Sequence, residues 1–384
     1  MRACVIAEYY PRPDDPANGV WAHRQALAAR DAGTDVRVLV LDRPLPSAAA
    51  LRRPRRLVAE SRAAISRPRS VELDGIEVEY VRYVSPPRSR SYKSWHRWAR
   101  RPLAEALERQ GKPDLVHAHY AHLGGAAALP WTTQQGVPLV VSAHGGDVLV
   151  PELAAVSGPV MRSAGVVLCN SRGTLRRAAA LAGREDHMRV VHLGTDVPPE
   201  RDLPAKHDSP TIATLANVDP RKRHEDVLRA LPLLDPDARW TVIGDGPERR
   251  RLEWLAGELG VHDRVTFTGR LPPPAALTEL ARCHAMALPS VDEAFGVAYV
   301  EALAHGVPAI GCASESGPEE IAELVPGGML LVPPRDPPAL AEAIKRALSD
   351  TAAPAQARAG AAEHFTWERC GRETVAAYEE ALEG

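Results

Sequence analysis

The chain has 384 residues, a length that suggests two domains, and its 45% apolar and 25% charged residues are typical of a globular protein. This composition excludes disordered, collagen-like and disulfide-scaffold proteins. The 47 basic and 49 acidic residues leave a formal net charge of −2, which argues against a dedicated nucleic-acid-binding protein.

The amino-terminal apolar run meets Glu8 too early to form the core of a signal peptide, and no run of about twenty apolar residues follows it. The five cysteines are scattered and form no CxxC pair, which indicates reduced thiols and no metal site. We therefore expect a soluble cytoplasmic protein. The cysteines are Cys4, Cys169, Cys283, Cys312 and Cys370.

Short β-branched runs alternate with helical stretches through the first half of the chain. This pattern is typical of a parallel sheet with helices on both faces. One helix is predicted over residues 23–33, where Gly33 is a candidate C-cap. The predicted strands are 2–9, 35–41, 76–83, 115–119, 138–144, 165–170 and 189–194.

The polar segment 196–210 carries four prolines, which indicates a linker, and the alternation then starts again. We predict an α/β protein with two Rossmann-like, doubly wound domains, 1–197 and 198–365, facing each other across a ligand-binding cleft. A last helix, 366–384, is expected to pack back on the first domain. The strands predicted in the second half are 211–217, 239–246, 264–269, 285–290, 307–312 and 328–333.

The segment 290–308 leaves a predicted strand, passes Gly296 and enters a predicted helix. A helix N-terminus beside a glycine offers backbone N–H groups to a phosphate. Glu293 and Glu301 lie eight positions apart, and a carboxylate can accept both hydrogen bonds of a vicinal diol. Spacing alone favours this interpretation no more than its alternative, in which Glu293 caps the helix and Glu301 faces solvent.

This segment resembles the E-x7-E motif of retaining glycosyltransferases with the GT-B fold, in the large family numbered four. EAFGVAYVEALAHGVPAIG (293–311) matches almost position for position, and the likeness covers nearly the whole chain. The other matching motifs are DLVHAHYAHLGG, PLVVSAHGGDVL, VVHLGTDV, IGDGPERRRLE, VTFTGRL and FTWERCGRETVAAYEEAL.

The resemblance implies donor-binding roles in the second domain. Glu293 would contact hydroxyls of the transferred sugar near the reaction centre, and Glu301 would hold the ribose hydroxyls of the nucleotide. The main chain would bind sugar and diphosphate through Phe295, Gly296, Val297 and Ala298. Main-chain groups of Gly269, Arg270 and Leu271 would pair with the base. Gly244 and Gly246 would lie on the loop beside the nucleotide.

In the first domain, the resemblance implies three contacts. Gly19, between the first strand and the first helix, would approach the phosphates. His144 would lie beside the donor sugar, where its carbonyl or ring assists positive charge at the anomeric carbon. Tyr120 falls where relatives contact the acceptor. We therefore expect His144 and Glu293 to be the catalytic residues.

The diphosphate clamp departs from the family pattern, which has an Arg and a Lys five positions apart. In ANVDPRKRH, Lys222 keeps the Lys position, but Asn217 stands at the Arg position. An amide can donate a hydrogen bond but cannot neutralise phosphate charge. Two interpretations stay open: Arg221 or Arg223 compensates for the loss, or both face solvent.

Three further signals are given less weight. HAHYAH (117–122) holds three histidines without a carboxylate or cysteine cluster, so a metal site is the less favoured interpretation. Asp235-Pro236-Asp237 matches the DxD motif of metal-dependent transferases but falls in a proline-containing turn. GDGPER lacks the full dinucleotide fingerprint.

Arginine is dense in segments 51–70 and 82–102. Three interpretations stay open for these segments: contact with an anionic membrane surface at the inner face, binding of an acidic acceptor, or a mobile solvated loop beside the cleft. The second segment also carries the aromatic residues Tyr83, Tyr92, Trp95 and Trp98.

The resemblance implies a retaining, metal-independent hexosyltransferase that uses a nucleotide diphosphate sugar, with UDP-sugars favoured. The acceptor would be a hydroxyl of a lipid-linked saccharide, a polysaccharide or a small natural product. No nucleic acid and no additional cofactor are expected. The alternatives are a nucleotide-sugar epimerase on the same fold and a non-catalytic nucleotide-sugar-binding partner.

Overall fold

The computed structural model describes residues 1–12, 15–45, 50, 53–87 and 91–384. Contacts divide these residues into two compact units. The N-terminal unit contains residues 1–170, 174–192 and 370–384, and the C-terminal unit contains residues 171–173 and 193–369.

An eight-stranded sheet with the order β3-β4-β2-β1-β5-β6-β7-β8 forms the N-terminal unit. Each neighbouring pair is parallel except β3 and β4, which are antiparallel. The strands are β1 (Arg2–Ala7), β2 (Asp35–Asp42), β3 (Ser70–Leu73), β4 (Ile76–Arg82), β5 (Leu115–His119), β6 (Leu139–Ala143), β7 (Val166–Cys169) and β8 (Met188–Val190).

Several helices of this unit pack on the sheet and bury apolar side chains against it. Leu103, Leu107, Trp131 and Met161 belong to the buried core that the helices share with the strands. The helices are α1 (Val20–Asp31), α2 (Pro54–Ser66), α3 (Trp95–Gln110), α4 (Ala126–Gln135), α5 (Gly145–Leu149), α6 (Pro151–Ser163) and α7 (Arg172–Ala182).

The C-terminal unit has a six-stranded parallel sheet with the order β11-β10-β9-β12-β13-β14. Its strands are β9 (Thr211–Leu215), β10 (Arg239–Ile243), β11 (Val265–Gly269), β12 (Ala285–Ala287), β13 (Ala309–Cys312) and β14 (Met329–Val332). Its helices are α8 (His224–Ala230), α9 (Arg249–Glu258), α10 (Pro273–Arg282), α11 (Val297–Ala304), α12 (Ser316–Leu324), α13 (Pro337–Ser349) and α14 (Ala353–His364). The predicted fold class, two Rossmann-like α/β domains, is confirmed.

The last helix, α15 (Trp367–Glu383), starts in the C-terminal unit and belongs to the N-terminal unit from Cys370 onward. The Tyr378 hydroxyl lies 2.7 Å from Nδ1 of His117 on β5. Gly371 packs so closely on α1 that an added Cβ would lie 2.2 Å from the carbonyl oxygen of Ala28. The end of the chain is therefore part of the N-terminal core.

The interpretation of the arginine-rich segments as mobile loops is wrong for most of their length. Residues 54–66 form α2, 70–73 form β3 and 95–102 begin α3, while residues 51–52 and 88–90 lie outside the described residues. Of the aromatic side chains, Tyr83 and Trp95 are buried in the core, and Trp98 is 51% exposed. No helix in the described part of the chain is long and apolar enough to cross a membrane.

Candidate functional site

Two loops at the carboxyl ends of strands meet in the C-terminal unit. The loop after β9 carries Lys222, whose ammonium donates to Oε2 of Glu293 at 2.5 Å, in the loop after β12. The backbones also join, because the N–H of Val291 donates to the carbonyl of Arg221 at 2.9 Å. The Lys222 and Glu293 side chains are 17% and 13% exposed, so the pair is shielded from most solvent. Two residues expected at the donor site are thus brought together.

Two further contacts hold Glu293 in place. The hydroxyl of Ser290 donates to Oε2 of Glu293 at 3.0 Å, and the N–H of Glu293 donates to Oε2 of Glu315 at 2.8 Å. Ser290 also lies 3.1 Å from the hydroxyl of Tyr299, which donates to the carbonyl of Leu288. Sequence reasoning missed Ser290 and Glu315. Only the position of Ser290 three residues before Glu293 could have pointed to it.

Helix α11 begins directly after Gly296, which has a φ of 95°. An added Cβ at Gly296 would lie 2.3 Å from the ring of Tyr299, so only glycine fits this turn. Phe295 is buried edge-on against Phe365, with ring centroids 5.9 Å apart, and Val297 and Ala298 are partly exposed. The first N–H groups of α11 have no intrahelical acceptor, and such groups attract anions.

Glu301 lies in the second turn of α11 and is partly buried. Burial, together with the negative charge of Asp196, raises the pKa of its carboxyl to about 7. Within the described ranges, no donor forms a hydrogen bond with this carboxylate. A ligand hydroxyl would supply one.

Two glycines let the loop after β10 pack against the loop after β9. A Cβ added to Gly244 would lie 1.9 Å from the carbonyl oxygen of Ala216. A Cβ added to Gly246 would lie 2.3 Å from the carbonyl oxygen of Val218. The N–H of Gly244 donates to the carbonyl of Gly269 at 3.1 Å. The residues expected to contact the base follow Gly269: Arg270 is exposed and Leu271 is partly exposed.

The residues around the altered clamp differ in their exposure and in their ion pairs. Asn217 is exposed. Arg223 donates to both carboxylate oxygens of Asp226, at 2.9 and 2.6 Å. The side chain of Arg221 is half exposed, and its guanidinium donates to the carbonyl of Asp292 at 3.4 Å and lies 4.0 Å from Oδ1 of Asp219. Arg223 is thus already paired, which leaves Arg221 as the better candidate for compensation.

Gly19 lies in the loop between β1 and α1 and has a φ of 65°. An added Cβ would lie 2.1 Å from the carbonyl carbon of Tyr9, so the close approach of these two backbones requires glycine. Tyr120 follows β5 with a φ of 68°, and its ring lies 5.6 Å from the ring of Tyr9 and 4.6 Å from that of His144. The residues expected to contact phosphate, sugar and acceptor in this unit are thus close together.

His144 follows β6 and caps α5. Its Nε2 lies 3.2 Å from Nδ1 of His119, and the two rings stack with centroids 5.5 Å apart. Burial lowers the pKa of His144 to about 4, so its ring is neutral at pH 7. Since the carbonyl of His144 accepts from the N–H of Asp147 at 2.9 Å, one of its lone pairs is already used inside α5.

Sequence reasoning missed a polar network that begins at Asp147. This buried carboxylate accepts from the N–H of His144 and, through its other oxygen, from His122 and Ser157, each at 3.0 Å. Although burial opposes ionisation, these hydrogen bonds hold the pKa of Asp147 below its usual value. On its other side, Nε2 of His122 lies 4.0 Å from Oε2 of Glu8. Glu8 follows β1 directly, so the network lies beside the end of that strand.

His117 has a structural role. Its two ring nitrogens lie 2.7 Å from the hydroxyl of Tyr378 and 2.8 Å from that of Ser142. Burial lowers its pKa to about 3, so it is neutral. The DxD-like tripeptide forms a turn in which the N–H of Asp237 donates to the side chain of Asp235 at 2.9 Å.

Two family models match consecutive parts of the chain. Residues 18–198 match the model described as Glycosyltransferase Family 4, and residues 199–364 match the model described as Glycosyl transferases group 1. Curated relatives include proteins named D-inositol 3-phosphate glycosyltransferase. The protein of Mycobacterium marinum is 32% identical, and the alignment covers 73% of this chain and 66% of the relative. That of Catenulispora acidiphila is 31% identical, with 84% and 86% covered.

Solved structures show the same fold over the full chain. Sucrose-phosphate synthase from Thermosynechococcus elongatus is 21% identical with a TM-score of 0.76, and all of both chains is covered. Anabaena HepE, solved in complex with UDP and glucose, is 19% identical with a TM-score of 0.73, and 98% of this chain and 99% of HepE are covered. These similarities extend through both Rossmann-like domains.

Proposed function

This chain belongs to the family 4 glycosyltransferases, which have the GT-B fold. On that premise, we propose that it is a retaining enzyme. It would transfer a sugar from a nucleotide diphosphate to an acceptor hydroxyl. The observation that carries this proposal is the meeting of Lys222 and Glu293, 71 positions apart, beside the N-terminus of α11. The same helix carries Glu301. This grouping of a cation, helix N–H groups and two carboxylates supports the proposal, in which they would bind the diphosphate, the ribose and the sugar.

The donor we propose is a UDP-sugar. Solved structures of HepE contain UDP or UDP-glucose, and the C-terminal sheet of this chain has the same fold. Glu301 would accept from the two ribose hydroxyls, and main-chain groups near Gly269 would pair with the base. Gly244 and Gly246, which let the loop after β10 pack on the loop after β9, would lie beside the nucleotide.

The catalytic proposal needs no protein-bound metal. Lys222 and the N–H groups of α11 would stabilise the negative charge that develops on the leaving diphosphate. Glu293 would hold hydroxyls of the transferred sugar, and the neutral ring or the carbonyl of His144 would face the developing positive charge. The acceptor would attack from the same face as the leaving group, which retains the configuration.

We propose that Tyr120 contacts the acceptor. The curated relatives are named for D-inositol 3-phosphate, so this compound is the first acceptor to test. Lipid-linked saccharides, polysaccharide ends and small natural products are tested next.

The experiment has two stages. Thermal unfolding in the presence of a panel of nucleotide sugars identifies the donor, because a ligand that binds only the folded state stabilises it by about 2.7 kcal/mol at a hundredfold excess over Kd. Release of the nucleotide is then measured with and without each acceptor, and the anomeric configuration of the product is read by NMR. An inverted product contradicts the retaining mechanism. Isomerisation of the donor without an acceptor favours an epimerase.

A further inference from the structure

A side-chain cluster in the C-terminal unit is not used by the proposed reaction. It consists of His207, in the segment before β9, and Glu279 and Cys283, at the end of α10. One ligand atom from each residue lies within 4.8 Å of the other two. Nε2 of His207 is 3.0 Å from Oε1 of Glu279. From this geometry we infer that the cluster binds a divalent zinc-like cation.

The ligand set suits zinc. Imidazole nitrogen, carboxylate oxygen and thiolate sulfur bind Zn²⁺ at about 2.0–2.3 Å, which places the ligand atoms of a tetrahedral site about 3.3–3.8 Å apart. The His207–Glu279 distance is already near this value, and Cys283 is one helical turn from Glu279 on the same face of α10. To close the site, these side chains would rotate toward one another, and the Cys283 thiol would give up its hydrogen bond to the carbonyl of Glu279 at 3.4 Å.

The backbone already holds His207 in position. Its N–H donates to the carbonyl of Arg282 at 3.0 Å, and the ammonium of the preceding Lys206 donates to the carbonyl of Cys283 at 2.7 Å. The segment before β9 is thus fixed on the end of α10 without a metal. Cys283 is buried, while the side chains of His207 and Glu279 are 24% and 21% exposed. Water can therefore fill the fourth position of the metal.

The charges around the cluster allow a dication. Lys206 and Arg282 are the nearby cations, and Nη1 of Arg282 lies 3.6 Å from Oε2 of Glu279. Burial raises the pKa of Cys283 to about 12, so its thiol is protonated without metal. Binding releases that proton to solvent, and no electron moves. One thiolate and one carboxylate then neutralise Zn²⁺. The occupied site is therefore neutral, whereas the free site carries the negative charge of Glu279, so binding adds one positive charge beside the two cations.

Sequence reasoning could not find this cluster, because His207 lies 72 positions before Glu279 and no ligand motif links them. The occupied site would add side-chain bonds to the backbone contacts that already hold the segment before β9 on α10. It is separate from the proposed transfer reaction, so its presence does not make catalysis metal-dependent.

The test is a titration of tag-free, chelator-treated protein with ZnCl2 under reducing conditions, followed by calorimetry and thermal unfolding. We expect one Zn²⁺ per chain and a higher unfolding midpoint. Co²⁺ in place of Zn²⁺ should give a thiolate-to-cobalt charge-transfer band. His207→Ala and Glu279→Gln, both at partly exposed positions, should each weaken Zn²⁺ binding at least tenfold, and Cys283→Ser should abolish the cobalt band.

Two variants serve as controls. His262→Ala removes an exposed histidine, and Cys4→Ser removes another buried thiol whose pKa burial raises to about 12. Both should bind Zn²⁺ like the unmodified chain. The inference is overturned if the unmodified chain binds no stoichiometric Zn²⁺, or if binding survives His207→Ala and Glu279→Gln, which would place an adventitious ion elsewhere.

Discussion

The ammonium of Lys222 and the carboxylate of Glu293 form an ion pair of 2.5 Å between two loops at the carboxyl ends of β9 and β12. In the ligand-free protein, each of these charges is neutralised by the other. A diphosphate that binds Lys222 must therefore compete with Glu293, and Glu293 becomes available to sugar hydroxyls when it does.

Lys222→Ala should weaken UDP and UDP-sugar binding about tenfold or more, because a hydrogen bond to a charged group contributes about 1.5–3 kcal/mol. Uridine binding should change little, since uridine carries no phosphate. Calorimetry with the three ligands measures the difference. Lys345→Ala, at an exposed lysine of α13, is the matched control. An equal loss for uridine would show that the pocket has changed shape.

Glu293→Gln should separate binding from catalysis. The amide keeps the size of the side chain and still accepts from Ser290, but it no longer neutralises Lys222. UDP should bind more tightly, while sugar transfer becomes slower because the charged acceptor for the sugar hydroxyls is lost. Calorimetry and steady-state rates give the two values. Weaker UDP binding would contradict the competition between Glu293 and diphosphate.

Asn217→Arg should tighten UDP binding up to about fivefold, because an ion pair at an exposed position contributes about 0.2–1 kcal/mol. Arg223 does not fill this role, since both carboxylate oxygens of Asp226 hold it. Asn217→Gln keeps a neutral amide and should bind UDP like the unmodified chain. If the arginine variant binds UDP less tightly, the loop is shaped around Asn217 and the alignment with the family clamp is misleading.

The sheets could be predicted from the sequence because buried parallel strands are continuous β-branched runs. The prediction for β5 coincides with the observed strand, whereas residues 191–194, predicted as strand, lie beyond β8. Beyond β8, the backbone forms hydrogen bonds outside the sheet. For example, the N–H of Thr195 donates to the carbonyl of Phe365 at 2.7 Å. Strand β3 was not predicted, because it is a short polar edge strand and the expected sheet was purely parallel. The Asp74–Gly75 turn, with φ of 48° and 77°, was the available signal.

The donor segment could be located because its residues are close in sequence. Glu293, Gly296 and Glu301 all lie on one loop and the helix that follows it. The partners of Glu293 could not be predicted, because Lys222 and Glu315 come from other loops and only the folded sheet brings them near. Pairings that join distant segments depend on strand order, which local patterns do not encode.

Glu301 should make nucleotide binding depend on pH. Its pKa is raised to about 7 in the ligand-free protein, and only the ionised form accepts both ribose hydrogen bonds. The ionised fraction of Glu301 rises from about a tenth at pH 6 to about nine tenths at pH 8. The affinity for uridine should therefore increase roughly tenfold from pH 6 to pH 8. Uridine is the probe because it has no titrating phosphate.

Glu301→Gln should remove this pH dependence, and Glu301→Ala should weaken nucleotide binding about tenfold or more at pH 8. The free protein should show the opposite trend in stability. The pKa of Glu301 is about 7 in the folded state and 4.5 in the unfolded state, so between these values the folded state binds more protons. The free energy of unfolding therefore falls as the pH rises from 4.5 to about 7. A flat uridine profile in the unmodified chain would contradict the role of Glu301.

The arginines of α3 test the class of acceptor. Arg97, Arg100 and Arg101 are exposed at the start of this helix, and Arg101, 90% exposed, forms only a surface pair with Glu105. If the acceptor carries a phosphate or lies on an anionic membrane, replacing all three by Ala should slow transfer and leave donor hydrolysis unchanged. The transfer rate of the unmodified chain should also fall with salt, since exposed charges are screened beyond about 10 Å at 0.1 M.

A charge-matched variant in the C-terminal unit, with Arg201, Lys345 and Arg346 replaced by Ala, controls for net charge, because all three are exposed. It should transfer sugar like the unmodified chain. If the α3 variant also transfers normally and salt has no effect, the arginines are only a solvated surface. The acceptor is then a neutral or cationic small molecule that is held by Tyr120 and its neighbours, because no positive charge is needed to bind it.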